Sequence, residues 1–285
     1  MALKKVILSS DSSCDLTPEL KNKYNVHFTS FHILLDEQSY IDGLNLSSND
    51  IFSTYKQKKC LPKTAAIGVS EYYEFFKKWT DQGFEVVHIS LSSAISSTYQ
   101  NCCLAASELD GVYPIDSKNL STGMAQLIIE AANRIELGIS ASQIQKELIA
   151  LVDKVQTSFI LDTLEFLCAS GRCSMLSAMG ANVLKLKPCI EVNNATGTMA
   201  VVKKYRGNLE KVAVQYANDN FADINSINTD RLFITHSIQS KEFLDSIYNY
   251  IKSLNIFKEI YITNTGCTIS SHCGPNTLGL VFLSK

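Results

Sequence analysis

Short apolar runs alternate with amphipathic stretches through the first half of the chain. KKVILSS (Lys4–Ser10), VHFTSFHILL (Val26–Leu35), FEVVHIS (Phe84–Ser90) and VYPIDS (Val112–Ser117) are rich in β-branched and aromatic residues, the pattern of buried strands. Helical patterns lie between them. Thr17-Pro18 reads as an N-cap and first helical position, opening a helix to about Tyr24. Ser48 is expected to cap a helix over Asp50–Lys58, and Ser70 to open one that places Tyr72, Phe75, Phe76 and Trp79 on a core-facing stripe. Thr64, between Pro62 and Gly68, is expected in an extended loop. Further helices are expected from about Thr98, and from about Thr122 to Leu137, where Gly138 stops the helix; Ser140 and Gln143 read as a capping box for the next. Such alternation implies a parallel sheet with helices on both faces.

The pattern changes near Thr157. FILDTLEFL, a turn at Gly171-Arg172 and a helix over Ser177–Lys185 lead to two strands flanking Asn193–Gly197, a hairpin. Amphipathic helices at about Leu209–Phe221 and Lys241–Leu254 enclose the strand RLFITHS (Arg231–Ser237). EIYITNTGCTISSHCGPNTLGLVFL then reads as two strands around a polar loop. The expectation is an α/β protein of two domains. Residues 1–155 would form a parallel-sheet domain and residues 156–285 a mixed α/β domain with hairpins.

In parallel α/β sheets ligands bind beyond the carboxyl ends of the strands. Asp11-Ser12, Ser92–Ser97 and Asp116-Ser117 would share that edge. In ISLSSAISSTYQN (Ile89–Asn101), Ser92, Ser93, Ser96, Ser97 and Thr98 crowd the point where strand becomes helix. Ser96 or Ser97 there either caps the helix or helps to bind an anion beside its N-terminus.

Composition narrows the chemistry. A net charge of −2 supplies no basic excess for non-specific nucleic-acid binding. No apolar run reaches membrane-spanning length. The nine cysteines form no C-x-x-C pair, which suggests a reduced, cytoplasmic protein. No His, Cys, Asp or Glu spacing suggests a metal site. The Walker, G-x-G-x-x-G and G-x-S-x-G patterns are absent. Asp11 stands at a strand end like an aspartyl nucleophile, yet Ser13 occupies the place of the second Asp such enzymes need. His272 is either an acid/base or a turn histidine bonded to backbone. Arg172 either pairs an anion or caps a helix end. Lys185, Lys187, Lys203, Lys204 and Arg206 form either a solvated basic face or a contact for phosphate or an acidic partner.

Taken in order, DSSCDL (Asp11–Leu16), PKTAAIG (Pro62–Gly68), ISLSSAISSTYQN, LEFLCASGR (Leu164–Arg172), KPCIEV with VVKKYR, ITHS (Ile234–Ser237) and SSHCGPNTLGLVF (Ser271–Phe282) resemble the DegV family of fatty-acid-binding proteins over essentially the whole chain. The resemblance implies two α/β domains with a long-chain fatty acid in an apolar tunnel between or beside them, and no cofactor. It also implies a non-catalytic role as the lipid-binding subunit of a fatty acid kinase. Such a subunit presents the carboxylate to a separate ATP-dependent kinase that makes acyl-phosphate for phospholipid synthesis. The family's carboxylate-binding Thr and Ser match Thr64 and Ser96; Ser97 adjoins them, and the Gly-Gly-Arg and loop His match Ser170-Gly171-Arg172 and His272. Ser97, Ser170 and Asn276 each replace a family glycine. The rival reading is a hydrolase or phosphotransferase using Ser96, His272 and Asp11.

Overall fold

A computed structural model describes residues 5–172 and 186–285. In chain order the elements are β1 (Val6–Asp11), α1 (Pro18–Lys23), β2 (His27–Thr29), β3 (His32–Leu35), β4 (Gln38–Ile41), α2 (Ser48–Lys58), β5 (Lys63–Ala65), α3 (Val69–Thr80), β6 (Glu85–Ser90), α4 (Thr98–Ser107), β7 (Val112–Asp116), α5 (Thr122–Glu136) and α6 (Ala141–Leu151). There follow β8 (Val155–Ile160), α7 (Glu165–Ala169), β9 (Leu186–Asn193), β10 (Thr198–Arg206), α8 (Leu209–Asn220), β11 (Ile227–His236), α9 (Lys241–Ser253), β12 (Glu259–Asn264), α10 (Cys267–Cys273) and β13 (Leu278–Ser284). The helix expected over Ser177–Lys185, with Lys185, lies outside the described residues.

The alternation of the first half does build a parallel sheet, in the order β2-β1-β6-β7. The second half builds a mixed sheet, β10-β9-β8-β13-β11-β12, in which only β11 and β12 run parallel. β4-β3-β5 form a small antiparallel sheet beside them. The α/β class and the parallel-then-mixed order therefore match the sequence expectation.

Helix α5 lies between the two large sheets, against β1 and β6 on one side and β8 and β13 on the other. Met124, Ala125, Leu127, Ile128 and Ile129 are all fully buried, as a helix enclosed on every face requires. Its buried polar side chains are paired: Thr122 Oγ1 bonds Thr235 Oγ1 at 2.5 Å. Gln126 Nε2 donates to the Val281 carbonyl at 3.2 Å, and Gln126 Oε1 accepts from Arg231 Nε at 2.8 Å. Arg231 also pairs with Glu130 at 2.9 Å.

Several local expectations need correction. Ser47, one residue earlier than expected, caps α2, and Asp50 completes a capping box there. Thr64 is not in a loop but in β5, opposite Ile33, because the small sheet supplies a partner that lies far away in sequence. Ser140 and Gln143 form no capping box; Gln143 donates instead to Glu147, a competing partner one turn on. The loop around Ser271 contains a helix, α10. Seven described cysteines are free, but Cys168 is disulfide-bonded. A cysteine count does not reveal which sulfurs the fold brings within bonding distance.

Candidate functional site

Four of the five singled-out residues meet in one pocket between the sheets. Thr64 comes from β5, Ser96 from the turn into α4, Arg172 from the end of the α7 segment and His272 from α10. Leu91, Ile95, Leu120, Leu167, Met199, Ile269 and Cys273 supply the apolar wall, with Thr268 beside them. The cavity measures about 50 Å³. Ser97 is not among its walls; it is exposed, with a φ of −76° that any residue adopts, so a glycine is not needed there. Ser170, φ −81°, is equally ordinary. Asn276 has φ +59°, where asparagine is among the better-tolerated substitutes for glycine.

The Ser96 hydroxyl accepts from the Thr98 backbone N–H at 3.2 Å and also bonds Thr98 Oγ1. Ser97 occupies the formal N-cap position without a side-chain cap bond. Ser96 thus serves the helix entry and faces the pocket, so the two readings of this segment are compatible.

His272 Nε2 lies 2.9 Å from Thr64 Oγ1. Burial, reinforced by the nearby Arg172 charge, pushes the His272 pKa down to about 4, so the ring is neutral at pH 7. Its Nδ1 is buried without a partner among the described residues. If the proton sits on Nε2, the ring donates to Thr64, whose own O–H is then free to donate to an anion in the pocket. Arg172 Nη1 donates to the Ser170 carbonyl at 2.5 Å, an anchor for its guanidinium.

Two carboxylates fix the helix that carries His272. Asp42 accepts from the Cys267 N–H at 2.9 Å, from Thr268 Oγ1 at 2.6 Å and from Ser12 Oγ at 2.9 Å. Asp15 accepts from the Gly266 N–H at 2.8 Å and from Ser121 Oγ. Burial raises the Asp15 pKa to about 7, against the opposing Ser121 and Gly266 bonds and with help from nearby Asp42. Acids at a helix N-terminus complete its unsatisfied N–H groups. Sequence reasoning missed this role, although DSSCDL contains both Ser12 and Asp15.

Asp11 is a structural hub. It is fully buried and accepts from Tyr72 (2.5 Å), His88 (3.0 Å), Ser90 (2.8 Å), the Leu91 N–H (2.8 Å) and Thr29 (3.3 Å). Burial pushes its pKa up, but the His88 hydrogen bond and charge, with Tyr72 and Leu91, hold it below the usual carboxylate value. Asp11 does not line the pocket, and five donors occupy its oxygens. The nucleophile reading of Asp11 is therefore corrected. Nor does Ser96 have a base, since its hydroxyl bonds Thr98 while His272 bonds Thr64. The basic run is also partly engaged: Lys187 pairs with Asp162, and Lys203 with Asp219 at 2.7 Å.

The described residues include no group of His, Cys, Asp and Glu able to hold a metal ion, and no helix long and apolar enough to cross a membrane.

The family model for the uncharacterised DegV family matches residues 5–285. A DegV domain-containing protein from Clostridium perfringens is 28% identical over 99% of this chain and its own full length. A DegV family protein of Thermus thermophilus, described for fatty acid binding, superposes with a TM-score of 0.89 at 24% identity, covering 99% of this chain and 100% of that one. A stearic-acid-binding protein from Eubacterium ventriosum has a TM-score of 0.83 at 25% identity, covering 99% of each chain. With a match along nearly its whole length and the same architecture, this chain belongs to the DegV family.

Proposed function

We propose that this protein binds a long-chain fatty acid, with its carboxylate at Thr64 and Ser96 and its tail between the two large sheets. The observation that carries the reading is the convergence of Thr64, Ser96, Arg172 and His272, from four distant segments, on one otherwise apolar pocket. A carboxylate taken from water must be hydrogen-bonded. Two hydroxyls and a guanidinium meet that demand, each charge-assisted bond contributing about 1.5–3 kcal/mol. Burying roughly 14 methylenes contributes on the order of 11 kcal/mol gross, from which association removes several. The chain supplies the affinity and the hydroxyls supply the orientation.

The cavity of about 50 Å³ is far below the ~300 Å³ at which ligand pockets begin. Binding therefore parts the walls. Met199, an adaptable side chain, sits in β10 just beyond the hairpin tip, where Ser92 Oγ donates to the Gly197 carbonyl at 2.8 Å.

The bound acid would be presented to a separate ATP-dependent kinase in the cytoplasm, with residues 1–155 carrying Thr64 and Ser96 and residues 156–285 carrying Arg172 and His272. Organic extraction of purified protein followed by mass spectrometry tests the ligand class, and a long-chain acid is the expected extract. Ser96→Ala should fold normally and bind palmitate more weakly. Ester or phosphate-ester turnover by pure protein, abolished by Ser96→Ala, would instead establish the hydrolase reading.

A further inference from the structure

A second cavity, of about 20 Å³, shares Leu120, Ile269 and Cys273 with the first. A chain whose carboxylate lies at Thr64 and Ser96 reaches it by passing those three side chains. Its lining is rich in hydroxyl-bearing residues: Ser121, Thr157, Ser158, Thr235, Thr265 and Thr277. Five of these are already bonded, Ser121 to Asp15, Ser158 to Tyr216 at 2.8 Å, Thr235 to Thr122 at 2.5 Å, Thr265 to Ser270 at 2.7 Å and Thr277 to the Cys273 carbonyl at 3.0 Å. Thr157 is different. It is 4% exposed, and its Oγ1 is buried without a hydrogen-bond partner. Among the described residues three buried side-chain polar atoms lack a partner, and two of them, His272 Nδ1 and Thr157 Oγ1, belong to residues that line these adjoining cavities.

The setting makes the hydroxyl conspicuous. Thr157 stands in β8 between Val155 and Phe159, both core residues on the face that meets α5. Helix α5 passes so close that a Cβ on Gly123 would lie 2.8 Å from Thr157 Oγ1 and 1.9 Å from Asn119 Oδ1. An unpaired buried hydroxyl is destabilising, and valine would fill the same space without that penalty.

We infer that Thr157 is a specificity residue, and that the ligand is a long-chain acid bearing a hydroxyl group along its chain, which bonds Thr157 in the second cavity. The inference rests on the acyl-binding reading and narrows it. A plain acyl chain leaves Thr157 unpaired, whereas a hydroxyl at the matching carbon pairs it and satisfies its own buried oxygen at once.

The test is a titration of delipidated protein with palmitic acid and with a series of hydroxypalmitic acids whose hydroxyl stands at successive carbons. At least one isomer should bind about tenfold more tightly than palmitic acid, the effect of one well-formed hydrogen bond. Thr157→Val should bring that ratio close to one, and Thr157→Ser, which keeps the hydroxyl, should retain most of it. No isomer exceeding palmitic acid, or a preference that persists in Thr157→Val, overturns the inference while palmitate binding leaves the acyl reading intact. Failure of every acid to bind overturns both.

Discussion

Removing the Thr64 hydroxyl separates head-group recognition from tail burial. Thr64 lies at an edge strand of the small sheet, is half-buried, and contacts His272 at 2.9 Å. On the proposed reading, Thr64→Ala deletes one charge-assisted bond to the ligand carboxylate, worth about 1.5–3 kcal/mol. Partial exposure of the site favours the lower end, so palmitate affinity should fall by about 10- to 30-fold, at about 1.4 kcal/mol per tenfold. The substitution also leaves the His272 ring without its Thr64 contact, which should lower folding stability by about 1 kcal/mol. Thr64→Ser keeps the oxygen and should recover most of the affinity. Calorimetric titration gives the affinity, and urea unfolding gives the stability. His272, held to about 4 by burial and Arg172, stays neutral from pH 6 to pH 8, so its titration adds no pH dependence to the affinity there. A well-folded Thr64→Ala protein binding palmitate within twofold of wild type would refute the carboxylate assignment.

Other perturbations separate framework from site. Asp11→Asn places an amide among five donors and should lower stability by about 3–5 kcal/mol in urea unfolding; a loss below about 1 kcal/mol would show that the buried charge is dispensable. Asp15 is raised from 3.8 to about 7, so the folded state holds the extra proton between those values and the contribution of Asp15 to stability declines as pH rises through that window. Asp15→Asn should remove this descending slope between pH 5 and pH 7, and an unchanged slope would place its source elsewhere. Thr157→Val should raise the melting temperature of the ligand-free protein, since it deletes an unpartnered buried hydroxyl; a lowered melting temperature would mean that the hydroxyl is bonded there.

The two sheets and most helices were legible in the chain because their signals are local. Short apolar runs mark β1, β6 and β7, the Tyr72–Phe76 stripe marks α3, and Asn193–Gly197 marks the β9–β10 hairpin. The family motifs brought forward Thr64, Ser96, Arg172 and His272, and the fold places all four in one pocket. Ser97 was singled out as well, because two adjacent serines at a helix start look alike in sequence. Only the turn geometry sends one inward and leaves the other exposed.

By itself the sequence determined most of the order of strands and helices, the family, and the four residues that the fold gathers in one pocket, since each rests on neighbouring residues or on motifs within one segment. Tertiary structure decided what joins segments far apart. It made Asp11 a saturated hub rather than a nucleophile, because its donors come from β2, α3 and β6. It set Asp15 and Asp42 against the start of α10, and it left Thr157 unpaired beneath α5. Burial and the satisfaction of hydrogen bonds are properties of three-dimensional surroundings, and no pattern along the chain specifies which donors will meet a given acid or which hydroxyl will meet none.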